Sequence, residues 1–96
     1  MDADLIDHDS GVQPWLQMLA IFRRQIEDGT LTGKRLPGER HLAAQYGISP
    51  ASLRRALKVL REEGWVETTK GYGSRVLTPE ERAAKRAERA KERPER

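Results

Sequence analysis

Three features of the sequence predict a mainly α-helical domain that closes with a small β-hairpin. Residues 39–60, ERHLAAQYGISPASLRRALKVL, read as two short helices joined about Gly47. Before them, Trp15, Leu19, Phe22 and Ile26 recur at intervals of four, three and four residues, the spacing of one apolar helix face. After Gly64 the period becomes strand-like in two short runs, WVETT and SRVL, separated by Lys70, Gly71, Tyr72 and Gly73. Three helices followed by such a hairpin make a winged helix-turn-helix, and a charged tail follows it.

Taken in order, residues 1–12 are expected to be a disordered acidic leader, with too little apolar surface to offset the entropy of ordering. The folded domain is expected over residues 13–78. Helix one should begin near Pro14, with Met18 beside its apolar face, and stop at Gly29. The next stretch, TLTGKRLPG, has the glycines and proline of a connector, with Leu31 and Leu36 as its anchors in the core. Helix two runs from about Gly38 to Tyr46 and carries Leu42, Ala43 and Tyr46 inward. Gly47 then supplies the left-handed residue that ends a helix without a Cβ clash. Ser49 is placed to cap helix three, and Pro50 occupies its first position, where a missing N–H costs nothing. Leu53, Ala56, Leu57 and Leu60 form the buried stripe of that helix; Ala51, Arg55 and Lys58 lie opposite it and Arg54 on its flank. Gly64 reads as the next helix stop. A hairpin of about five residues per strand is marginal alone, so Trp65, Val66, Val76 and Leu77 must rest on the helices.

In the tail, residues 79–96, Thr78 and Glu81 form a capping-box pattern with Pro79 at the first helical position. Ala83, Ala84, Ala87 and Ala90 favour a helix as far as Pro94. Without a large apolar residue it is expected to fray in solvent rather than dock. Phosphate contacts from its seven bases, or a dimer seam along its alanines, are the competing readings.

Composition narrows the class. With 96 residues there is room for one domain and one small core, which leaves little scope for an elaborate active site. There is no cysteine, hence no disulfide framework or thiolate metal site. The acidic start has no apolar signal-like core and no run approaches 18 apolar residues, so the expected location is cytoplasmic, without membrane insertion. The net charge of +3 is unevenly distributed: −4 over residues 1–11, +5 over 12–78 and +2 over 79–96. Positive charge on the folded part suits a polyanionic partner.

From Pro14 to Val76 the chain resembles the DNA-binding domain of the GntR family of bacterial transcription regulators. The residues that carry the likeness are Asp28-Gly29, Leu36-Pro37-Gly38-Glu39-Arg40, Leu42 to Leu60, Glu63-Gly64-Trp65-Val66 and Gly71-Tyr72-Gly73. The resemblance implies sequence-specific binding of double-stranded DNA by a transcriptional regulator, with a repressor as the expected type. Helix three would enter the major groove and the hairpin tip would reach the minor groove. It marks Arg40, the polar helix start Ser49, Ser52 and Arg54, and the wing residues Lys70 and Gly71. It also implies pairing as a homodimer on a palindromic site; the free chain is expected to be a monomer. The sequence departs from the family at Thr32 and Gly38, and more consequentially at Pro50 and Ala51, which stand where arginine and threonine are usual; a common base-reading side chain is therefore missing. Members commonly carry a larger effector-binding domain, whereas 19 residues follow Leu77, too few to build a small-molecule effector pocket.

The residues themselves point the same way. Arg54 and Arg55 stand in the first turns of helix three, where a planar fork of donors can reach guanine O6 and N7 or a phosphate. The helical wheel favours Arg55 and Lys58 and the resemblance favours Arg54, so all three remain candidates. Arg75 on the hairpin joins Arg40, Arg54, Arg55, Lys58 and Lys70 as a sixth contact base. Glu62, on the same side two turns later, would be repelled by phosphates and confines contact to the N-terminal half of the helix. Arg23, Arg24 and Arg61 read as solubilising, and Trp15, Phe22, Tyr46 and Trp65 as core. His8 and His41 lack partners at metal-ligand spacing, no cofactor motif is present, and no nucleophile or carboxylate constellation supports catalysis, so a non-enzyme is expected. The alternative is a winged-helix protein–protein interaction module. Salt separates the two, because binding to phosphates weakens steeply with ionic strength.

Overall fold

The computed structural model describes residues 5–92. In chain order it contains α1 (Pro14–Glu27), α2 (Glu39–Tyr46), α3 (Pro50–Glu62), β1 (Val66–Thr69), β2 (Gly73–Val76) and α4 (Pro79–Glu92). The helix starts follow the local chemistry. Pro14 and Pro50 stand at the heads of α1 and α3, and the Ser49 hydroxyl accepts from the Ser52 amide at 3.1 Å. Gly47 closes α2 at φ +70°, ψ 39°, a left-handed conformation that a side chain would strain.

Helix α1 packs across α3, and α2 against α3, to make one core. Met18, Phe22, Leu53, Leu60 and Val76 are its largest fully enclosed side chains. Phe22 meets the edge of Tyr46 with ring centres 6.2 Å apart, and the Tyr46 hydroxyl pairs with buried Gln25. Leu36 is buried and Leu31 packs partly against the core, so both connector residues serve as anchors. Trp15 and Trp65 are only partly buried.

Strands β1 and β2 pair antiparallel with Val66 opposite Val76 and Thr69 opposite Gly73. The connector adds to this hairpin. The Leu36 amide donates to the Ser74 carbonyl at 2.8 Å and the Val76 amide to the Lys34 carbonyl at 2.9 Å, leaving Arg35 bridged to Arg75. The wing is thereby bonded on both edges of β2. Its connector side was unreadable from sequence, where two glycines and a proline signal only a loop.

The leader differs from the expectation of disorder. Residues 1–4 lie outside the described residues, but residues 5–12 form a strap across the start of α1 and the end of α2. Ile6 is buried in the core, and its amide donates to the Tyr46 carbonyl at 3.0 Å. On the other side Gln17 holds it: its Oε1 accepts from the Asp7 amide at 2.9 Å, and its Nε2 lies 2.8–3.1 Å from Asp7 O, Ser10 Oγ and Val12 O. One apolar residue and one amide side chain supply the order that overall composition argued against.

The tail also differs. The capping box forms, with the Thr78 amide on Glu81 Oε1 at 2.9 Å and the Glu81 amide on Thr78 Oγ1 at 3.1 Å. Yet α4 is docked, by polar side chains rather than apolar ones. The Arg82 guanidinium lies 4.1 Å over the Trp65 ring and donates to the Glu63 carbonyl at 3.0 and 3.2 Å. Glu63 is in turn gripped by Arg23 of α1 at 2.7 and 2.8 Å. The expected helix end at Pro94 falls outside the described residues.

Candidate nucleic-acid interface

The outward face of α3 is set by what the inward face buries. Leu53, Ala56, Leu57 and Leu60 are at most 2% exposed, which turns Ala51, Arg54, Arg55 and Lys58 to the surface. Ser49 and Ser52 stand at the helix head, joined by the cap hydrogen bond. Arg54 reaches toward Glu39 at the start of α2, with 3.5 Å between Nη1 and Oε1 and both side chains about half exposed. Such a pair contributes about 0–1 kcal/mol, so the guanidinium can exchange Glu39 for a phosphate or a base edge at small cost. Arg40 and Lys58 are exposed and have no ion-pair partner among the described residues.

A cleft of about 690 Å³ lies between the connector and the wing; its lining includes Arg35 and Glu39, Leu57 of α3, and Gly71 and Tyr72. The connector, one residue of α3 and the wing tip, far apart in sequence, thus share one concave surface. At the tip Gly71 and Gly73 have φ of +87° and +85°, and a Cβ on either would meet nothing within 4 Å. These glycines answer a backbone requirement rather than a lack of space. Lys70 is exposed beside them. Tyr72, at 69% exposure, and Arg35 also face the cleft without having been singled out in the sequence. The signal for Arg35 was its position immediately before the Leu-Pro-Gly-Glu-Arg motif. An aromatic between two turn glycines was the signal for Tyr72.

Two of the six expected contact bases are occupied elsewhere. The Arg55 guanidinium lies 4.2 Å over the Trp15 ring, tying the head of α3 to the head of α1. The wheel placed Arg55 opposite the buried stripe correctly, but Trp15 extends over that flank. Arg75 makes a two-pronged pair with Glu81 at 2.9 Å on each prong and approaches Glu67 at 3.6 Å, while Lys85 pairs with the same Glu67. Two acids and two bases cancel, so Arg75 presents little net charge to a polyanion. The Arg75 guanidinium, followed by the Thr78 amide, holds the Glu81 carboxyl down to about 2, and Lys85 beside Glu67 holds that carboxyl below its usual range.

Among the described residues no His, Cys, Asp or Glu group could hold a metal ion, and no helix is long and apolar enough to cross a membrane.

A capped helix-turn-helix followed by a glycine-tipped hairpin defines a winged-helix domain. The chain belongs to the gntR family of bacterial regulatory proteins, whose description matches residues 17–76. Among curated relatives, the HTH-type transcriptional regulator TreR of Bacillus subtilis strain 168 is 41% identical over 70 residues, covering 72% of this chain and 29% of TreR. The Exu regulon transcriptional regulator of Escherichia coli K12 is 37% identical over 67 residues, 69% of this chain and 26% of that protein. The chain therefore spans little more than a quarter of the length of these relatives. A GntR family transcriptional regulator from Listeria monocytogenes superposes with a TM-score of 0.70 at 25% identity, over 86% of this chain and 75% of the other. These relatives are transcriptional regulators, not enzymes.

Proposed function

We infer that this chain binds double-stranded DNA sequence-specifically and represses transcription by occupying a promoter. Helix α3 enters the major groove through its N-terminal half, and the wing tip lies at the adjacent minor groove. The observation that supports this best is the set of exposed cations on the helix-turn-helix and the wing: Arg54 and Lys58 on α3, Arg40 on α2 and Lys70 at the wing tip are exposed, Arg35 lines the cleft beside the wing, and the apolar side of α3 is wholly buried. Arg54 reads bases from the helix flank. Ser49 and Ser52 touch the backbone near the helix head, and Arg40, Lys58, Lys70 and the Gly71 amide contact phosphate or sugar. Arg55 and Arg75, engaged with Trp15 and Glu81, contribute to the frame of the site rather than to contact. The protein works in the cytoplasm. Two copies, monomeric when free, pair on adjacent half-sites of a palindrome.

Selection of duplexes from a randomised pool tests the reading. The expected result is one enriched motif with two-fold symmetry, with two chains sedimenting together on the duplex and single chains in its absence. Absence of any enriched sequence, with binding insensitive to salt, would overturn it in favour of a protein-binding module.

A further inference from the structure

We propose that the strap of residues 5–12 is a positioning element for DNA recognition, with Gln17 and His8 as the side chains that set the helix-turn-helix turn. This rests on the DNA-binding reading above and adds to it a segment upstream of the matched family region, which begins at residue 17.

The turn of the helix-turn-helix begins at the end of α2. A helix leaves its last carbonyls without intrahelical partners, and here the amides of Gly47 and Ile48 turn back to Ala44 and Ala43. The carbonyls of Tyr46 and Gly47 themselves point onward into the turn. Each is met by the strap: Tyr46 O accepts from the Ile6 amide at 3.0 Å, and Gly47 O accepts from His8 Nε2 at 2.7 Å. The Leu5 side chain closes over Gly47, 4.0 Å from where a Cβ would stand. Only Ile48 and Ser49 separate this doubly held turn from the first residue of α3.

The strap has a second attachment. Gln17 projects from α1 and contacts Asp7 through both its amide and its carbonyl, together with Ser10 and Val12. Ile6 is the buried peg between the two attachments. The strap therefore spans from α1 to the turn, and the orientation of α3 is referred to α1 by this bridge as well as by Arg55 on Trp15 at the same corner.

Loosening the turn should affect the two kinds of DNA contact differently. Long cationic side chains follow a phosphate through small displacements, whereas hydrogen bonds to base edges fail when their donors move by a fraction of an ångström. Loss of the strap's hydrogen bonds should therefore reduce discrimination between sequences while leaving the electrostatic, sequence-independent affinity in place. A strap that merely adds stability would lower the melting temperature and leave discrimination unchanged.

The test uses the full chain, a duplex selected by the wild type from a randomised pool, and a random-sequence duplex of equal length. Gln17→Met keeps the side-chain volume and removes its hydrogen bonds; His8→Ala removes the contact to Gly47; His8→Gln keeps a donor of similar reach. Affinities are read by fluorescence anisotropy well below each variant's melting temperature. We expect Gln17→Met and His8→Ala to lower the ratio of selected to random affinity about tenfold, with random-duplex affinity and its salt slope unchanged, and His8→Gln to restore most of the ratio. A ratio equal to the wild type's in both variants, whatever their melting temperatures, would overturn the proposal. Failure of the wild type itself to prefer any duplex would instead strike the functional reading beneath it.

Discussion

Ionic strength is the perturbation that most directly tests the geometry of the proposed interface. Beside the base-reading Arg54, four exposed cations are available to phosphates: Arg35, Arg40, Lys58 and Lys70. At about 0.9 per phosphate contact, their engagement gives a log–log slope of about −3.6 for one bound domain, or a loss of about 150-fold in affinity between 50 and 200 mM salt. Two substitutions sharpen the test. Lys70→Ala removes an exposed wing-tip charge and should reduce the slope to about −2.7. Arg75→Gln removes a charge whose fork is already held by Glu81 at 2.9 Å on each prong, so it should leave the slope near −3.6. The assay is anisotropy of a labelled duplex titrated at five or six salt concentrations. A slope near zero would refute nucleic-acid binding; a larger change for Arg75→Gln than for Lys70→Ala would refute the assignment of exposed and engaged bases.

Further outcomes follow from the same structure. Arg54→Ala should cost about 1–3 kcal/mol on the preferred duplex and less on random sequence, whereas Lys70→Ala should weaken both alike, as competition titrations would show. Leu57 is 2% exposed in the middle of the α3 stripe, so Leu57→Ala should destabilise the domain by about 2–5 kcal/mol in denaturant unfolding, while Ala51→Ser, on the exposed side, should be nearly neutral. The Glu81 carboxyl titrates at about 2 when paired, below its ordinary value of 4.5. Its contribution to holding α4 is therefore complete above about pH 4.5 and declines as the pH falls toward 2. Circular dichroism should show helix loss in that window, diminished in Glu81→Gln; an identical acid profile in that variant would remove Glu81 from the latch.

The parts of the fold that were legible in the sequence are those decided within a few residues. Pro50 after Ser49, Gly47 after Tyr46 and the four-residue stripe of α3 specify a stop, a start and a burial phase through local backbone and side-chain chemistry, and the structure contains each of them. Arg54 and Lys58 follow from that phase, because a helix that buries Leu53 and Leu57 must turn them outward. The engagement of Arg55 and Arg75 did not follow, since a charged side chain takes whichever partner the fold brings within reach. Trp15 lies 40 residues before Arg55, and Glu81 becomes available only once α4 is docked.

What the sequence by itself determined is therefore the type, order and phase of the elements and the helix-turn-helix they form. Only the tertiary structure decided that Ile6 is core, that the connector joins the wing, and that α4 is latched through Arg82, Trp65 and Glu63. Each of those outcomes depends on a few contacts between residues distant in sequence. Composition averages such contacts away and periodicity does not register them, whereas helix and turn propensities act on every residue of an element and so remain visible along the chain.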